Sequence, residues 1–103
     1  MMQKEFKDPI FEFVKQVSDL EEVTSVTLFG SVAKGEATSM SDIDFLVVVS
    51  NMKIEKDITK IANEISDKYN KKFQAIVKTK KLESLDSSMI EDISKDGILL
   101  YGL

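Results

Sequence analysis

The apolar pattern of this chain predicts an α+β fold, an α/β sandwich in which helices flank a small mixed sheet. Three observations carry the prediction. Segments with helical apolar spacing alternate with short, nearly continuous apolar runs; the runs are too short to be helices; and Gly, Asn, Ser or Asp corners separate the two kinds of segment. The order is helix, strand, short helical turn, strand, helix, strand, helix, strand. The pattern leaves open the strand order and the direction in which the first two strands pair.

Asp8-Pro9 reads as an N-cap followed by proline at the first helical position, and Ile10, Phe13, Val14, Val17 and Leu20 then keep helical spacing to an end near Glu21. Val23 to Phe29 reads as a strand that Gly30 stops. Ile43 to Val49 is almost continuously apolar, as expected of a central strand covered on both faces, and Ser50-Asn51 closes it. Ile54, Ile58, Ile61, Ala62, Ile65 and Tyr69 share one face of an amphipathic helix. Phe73 to Val77 is the third strand. A last helix is expected to bury Leu82, Leu85, Met89, Ile90 and Ile93, to stop at Asp96-Gly97, and to lead into a short strand at Ile98 to Tyr101. Met40, Met52 and Met89 are read as gap fillers.

A chain of 103 residues is expected to form a single domain over 1–103. The start Met1-Met2-Gln3-Lys4-Glu5 is too polar for a secretory signal, and no run of apolar residues is long enough for a membrane span, so a cytoplasmic protein is expected. The chain has no cysteine and no histidine, which excludes disulfides, thiolate nucleophiles, Cys-type zinc sites and the commonest general base. Chemistry must run on carboxylates, hydroxyls, lysines and backbone amides. The net charge of −4 argues against nucleic acid as the main partner. Lys68, Lys71, Lys72, Lys78, Lys80 and Lys81 nevertheless crowd one segment, either a solvated rim or a patch facing phosphate or a partner. All 14 basic residues are lysine, so a phosphate contact here is a point charge rather than a fork.

One stretch asks for chemistry. After Val26-Thr27-Leu28-Phe29 comes the corner Gly30-Ser31, then a polar loop, then Asp42-Ile43-Asp44 opening the next apolar run. At i and i+2 on a strand the two carboxylates share a face with Cα atoms roughly 7 Å apart. No lysine lies within Ser41-Asp42-Ile43-Asp44-Phe45-Leu46 to neutralise them, so a shared divalent cation is expected, and Mg²⁺, which binds through one or two carboxylates plus substrate phosphates, suits such a pair. Gly30 permits a close backbone approach, and the Gly30 and Ser31 amides with the Ser31 hydroxyl suit a triphosphate at a helix start. Ser31 read alone is an ordinary N-cap. Gly30-x4-Gly35 also matches half of a Walker A motif, but Glu36-Ala37 stands where Lys-Ser or Lys-Thr is required, which rejects a P-loop.

The whole pattern, Gly30-Ser31-Val32-Ala33-Lys34-Gly35 followed by Ser41-Asp42-Ile43-Asp44, resembles the signature of nucleotidyltransferases of the DNA polymerase beta superfamily, and above all their minimal members. The likeness extends more weakly from about Val14 to Leu100. It implies the polymerase-beta-like nucleotidyltransferase fold. It also implies Asp42 and Asp44 as catalytic metal ligands for Mg²⁺ or Mn²⁺, with Gly30, Ser31, Lys34 and Ser41 toward the nucleotide. Lys34 is either a phosphate contact or a solvated lysine, and the family often has arginine there; Ser41 is either a phosphate contact or a turn former. The family commonly places a third carboxylate on the next strand. This chain has Gln74 there, a group that carries no charge and is no base. The alternative for Gln74 is a solvent-facing strand position; if it lies on the sheet face opposite Asp42 and Asp44, another carboxylate such as Glu64 or Asp67 becomes the one to consider.

The first functional expectation is Mg²⁺-dependent transfer of a nucleoside monophosphate, AMP from ATP foremost, to a hydroxyl of an acceptor supplied by a partner. The resemblance implies that partner to be a HEPN-domain toxin, with this chain as its antitoxin. The alternative is a weakly catalytic or non-catalytic nucleotide-binding module for the same partner, which Gln74 favours.

Overall fold

The computed structural model describes residues 3–79 and 87–102. Its elements are α1 (Lys4–Ser18), β1 (Val23–Phe29), α2 (Gly30–Lys34), β2 (Ile43–Val49), a 3₁₀ turn (Met52–Ile54), α3 (Glu55–Tyr69), β3 (Phe73–Lys78), α4 (Ser87–Asp96) and β4 (Ile98–Tyr101). The strands form one sheet in the order β3-β2-β1-β4. β1 is antiparallel to both β2 and β4, whereas β2 runs parallel to β3, with α3 making the crossover that a parallel pair requires. The sheet is therefore mixed, as expected.

β2 is covered on both faces. Ile43, Phe45, Val47 and Val49 enter the main core with Phe6, Phe13 and Val17 of α1 and Ile58, Ala62 and Ile65 of α3. Leu46 and Val48 point the other way and join Phe29, Ile76 and Ile93 of α4 in a thinner second layer. Strand alternation sorts the two sets, and the same alternation decides which polar residues share a face. Behind β2 and β3 the rings of Phe13 and Phe45 stack at 4.4 Å, and Phe73 closes the trio at 5.5 and 5.7 Å.

Helix α1 departs from expectation at both ends. Asp8-Pro9 does not open it: Gln3 holds the N-cap position, the helix begins at Lys4, and Pro9 lies inside. The buried stripe is Phe6, Pro9, Ile10, Phe13 and Val17, so it starts a turn earlier than the proline suggests. Phe6 is fully buried, and burying that ring outweighs one missing backbone bond to Glu5 near the solvated helix start. At the other end α1 stops at Ser18 instead of near Glu21. Turns from Leu20 N–H to the Val17 carbonyl and from Val23 N–H to the Leu20 carbonyl carry the chain directly into β1, while Leu20 still packs on the core.

Met40 fills no gap, being 86% exposed on the loop between α2 and β2. The last helix stops at Asp96, and the Gly97 N–H donates to the Ile93 carbonyl. Leu82 and Leu85 lie outside the described residues, as do Lys80 and Lys81 and the side chains of Met89 and Ile90. No helix among the described residues is long and apolar enough to cross a membrane.

Candidate active site

Asp44 is the second residue of β2 and shares its face with Leu46 and Val48, so it stands on the α4 side of the sheet. Its register neighbours are Phe29 on β1 and Gln74 on β3. Asp42 lies just before the strand, exposed. Partial burial first, and then the negative charge of Asp42, push the Asp44 carboxyl up to about 6.

The corner after β1 is shaped around that carboxylate. Gly30 has φ +79°, and a Cβ built there would collide with Oδ2 of Asp44. Glycine at position 30 thus serves both a left-handed backbone and a carboxylate lying against it. The close approach joins the first residue of α2 to Asp44. Ser31, the next residue, is partly buried, and its hydroxyl has no hydrogen-bond partner among the described residues. The N-cap position belongs to Phe29, whose side chain cannot cap. α2 ends after one further turn at Gly35, φ +75°, whose N–H donates to the Val32 carbonyl.

The other expected residues are placed as follows. The Lys34 ammonium lies 4.0 Å from Asp96 at the end of α4. Ser41 acts as a turn staple: its Oγ accepts from the Thr38 N–H at 2.9 Å and its own N–H donates to the Thr38 carbonyl. Gln74 is exposed and, by register and strand alternation, stands on the Asp44 face. Glu64 and Asp67 belong to α3, which covers the opposite face. Asp67 lines a cleft of about 540 Å³ with Ser39, Met40, Ser41, Asn70 and Lys72, beside the loop that delivers Asp42. Sequence reading missed this cleft, because it forms where the end of α3 meets that loop.

The donor set fits a hard divalent cation. Neither Asp42 nor Asp44 has an ion-pair partner among the described residues, and the donors the pair offers are carboxylate oxygens. No third acidic group joins them: no cluster of three or more Asp, Glu, His or Cys occurs among the described residues. Such a pair can hold a cation against phosphate oxygens, with the Gly30-Ser31 corner beside it.

Comparison with known proteins gives this arrangement a context. The family model described as "Polymerase beta, Nucleotidyltransferase" matches residues 12–103. A candidate protein adenylyltransferase of Methanocaldococcus jannaschii is 33% identical over 94 residues, covering 86% of this chain and 92% of that protein. Among solved structures, a candidate minimal nucleotidyltransferase superposes with a TM-score of 0.70 at 19% identity, covering 95% of each chain. A chain from the complex of a tri-AMPylated Shewanella oneidensis HEPN toxin with an MNT antitoxin superposes at 0.62 with 17% identity, covering 99% of this chain and 74% of that one. At these identities the two structures show a shared fold.

Proposed function

Because the chain belongs to the polymerase beta nucleotidyltransferase family, we propose that it is an Mg²⁺-dependent adenylyltransferase that moves AMP from ATP to a hydroxyl of a partner protein, a HEPN-domain toxin. The observation that carries this reading is the packing of Asp44 against Gly30, which joins the carboxylate pair to the Gly-Ser corner. The adenylyltransferase name of the archaeal relative and the AMPylated toxin in the structural neighbour support the choice of AMP and of a protein acceptor.

In this reading Asp42 and Asp44 hold Mg²⁺ or Mn²⁺, which when bound neutralises the triphosphate and eases departure of pyrophosphate. The Gly30 and Ser31 amides and the Ser31 hydroxyl receive phosphate oxygens. The acceptor oxygen bonds to the α-phosphorus as the bond to pyrophosphate breaks, and a carboxylate or water takes the acceptor's proton, since the chain has no histidine. The Lys34 ammonium, near Asp96, reaches phosphate only by leaving that carboxylate.

Calorimetry of ATP binding tests the site. Wild-type protein is expected to bind ATP only with Mg²⁺ or Mn²⁺, and Asp42→Asn with Asp44→Asn to abolish that metal-dependent part while the fold persists. Equal affinity in EDTA, or no loss in the double variant, overturns the assignment.

A second reading, a nucleotide-binding antitoxin with little or no transfer activity, is favoured by Gln74. An amide stands in register with Asp44 where the family resemblance leads one to expect a carboxylate. Transfer of labelled AMP to a co-purified partner separates the two readings.

A further inference from the structure

Among the described residues β3 is an edge strand of the sheet. The Ile43 N–H donates to the Lys72 carbonyl at 2.7 Å, and Ile43 is paired with Phe73. In a parallel ladder this turns the polar backbone groups of the even-numbered residues of β3 toward β2 and those of Phe73, Ala75 and Val77 away from it. Among the described residues, no strand pairs with that outer side.

The side chains on the strand are sorted as well. Phe73 and Val77 pack toward the main core. Gln74 and Ile76 stand on the face of Asp44 and Leu46, Lys78 joins them by alternation, and Lys72 is the exposed residue just before the strand. Two lysines six residues apart thus bracket Gln74 over roughly 20 Å of edge. Neither lysine has an ion-pair partner among the described residues, in a chain whose net charge is −4.

We propose that the open edge of β3 is the acceptor dock: an extended, acidic segment of the acceptor protein pairs with it as an added strand, its carboxylates meeting Lys72 and Lys78. The proposal rests on the transferase reading above for the word acceptor, but the docking itself does not need transfer to occur. Three features support this occupant. Open backbone groups on an edge strand are what an extended peptide uses to add itself to a sheet. A pair of lysines without an ion-pair partner among the described residues favours an acidic segment and, by like-charge repulsion, works against two copies of this chain joining through β3. The geometry also reaches the site: strands lie roughly 4.8 Å apart, so a residue opposite Gln74 on the added strand is roughly 10 Å from Asp44 at the backbone and can aim a long side chain back across Gln74.

The test uses peptides of one length, each with a central tyrosine flanked by Glu, by Gln or by Lys, with binding read by fluorescence anisotropy. Wild-type protein is expected to bind the Glu peptide about tenfold tighter than the Gln peptide, with the Lys peptide weakest. Lys72→Glu with Lys78→Glu is expected to reverse the order, and Lys72→Gln with Lys78→Gln to flatten it. ATP affinity with Mg²⁺ should stay within about twofold, since a surface charge change of this kind acts on the docked anion. N-methylation of alternate amides in the Glu peptide is expected to remove its binding, as strand pairing demands. Three results overturn the proposal: no discrimination among the peptides, an equal fall in ATP affinity in the charge variants, or displacement of the Glu peptide by an RNA oligomer that binds tighter. Glu-peptide binding lost in the charge variants without any AMP transfer leaves the dock standing and counts against the transferase reading alone.

Discussion

Asp44 faces two pressures that share a sign. Partial burial and the charge of Asp42 both disfavour its ionised form, and they lift its carboxyl from 3.8 to about 6. A carboxyl whose folded value is raised keeps its proton longer in the folded state than in the unfolded chain. Between about pH 4 and 6 the folded state therefore binds more protons, and stability falls as pH rises through that window. At pH 7 the cost is about 1 kcal/mol once solvent screening of a half-exposed group is allowed for. Asp44→Asn is accordingly expected to be more stable than wild type at pH 7 and no more stable at pH 4, as thermal melts across that range will show; added Mg²⁺ should stabilise wild type and leave the variant unchanged. Gly30 gives the complementary test. Gly30→Ala combines a strained backbone with a collision against Asp44 and should cost about 2–3 kcal/mol. In an Asp44→Ala background the collision is gone, so the cost should drop to about 1 kcal/mol, and this non-additivity in denaturant melts is the signature of direct contact. The Gly-Ser and Asp-x-Asp residues were legible in the sequence because each half of the motif is local. Their contact, across the loop between α2 and β2, is what the coordinates add.

At the scale of elements, helix α1 shows why a strong local signal can mislead. Asp8-Pro9 has the chemistry of a helix start, yet the helix begins at Lys4, because Phe6 continues the buried stripe and Gln3 finds work outside the helix. The Gln3 amide clasps the backbone of Ala37, donating from Nε2 to its carbonyl at 2.6 Å and accepting from its N–H at 3.1 Å. Nothing in the sequence joins positions 3 and 37. The clasp fixes the middle of the loop that runs from α2 to Asp42, so the start of α1 supports the candidate site at a distance. Gln3→Ala should destabilise the fold by about 1–2 kcal/mol, as expected for two partly buried hydrogen bonds, and should speed exchange of the Ala37 amide proton far more than that of amides within β2. Unchanged exchange at Ala37 would mean that the loop holds itself. The strands and α3 were easier to read, since their apolar periods coincide with the faces they bury.

Taken as a whole, the molecule gives its thicker layer, with α1 and α3, to stability and leaves the other face of the sheet, where Ile93 of α4 packs, for the candidate site. Strand order was not legible in the sequence: whether β3 runs beside β2 depends on pairing between distant segments, and no local pattern encodes it. That pairing determines what Gln74 can do. The clustered rings of Phe13, Phe45 and Phe73 sit behind the β2–β3 pair, Phe45 and Phe73 each one residue along from Asp44 on β2 and from Gln74 on β3, and so support the register in which these two are neighbours. If the site transfers AMP slowly because a neutral amide stands beside the carboxylates, Gln74→Glu should raise the transfer rate by about tenfold or more. The same change should make protein without metal less stable, since it brings a third negative charge to a face where Asp44 already resists ionisation, and Mg²⁺ should recover that loss. Gln74→Ala, which removes a neutral exposed group, should leave ATP affinity within about twofold of wild type. Rates of labelled AMP transfer, paired with melts with and without Mg²⁺, check both arms. A Glu variant that gains metal-dependent stability without any gain in rate would show that position 74 can complete a cation site and that slow transfer has another cause.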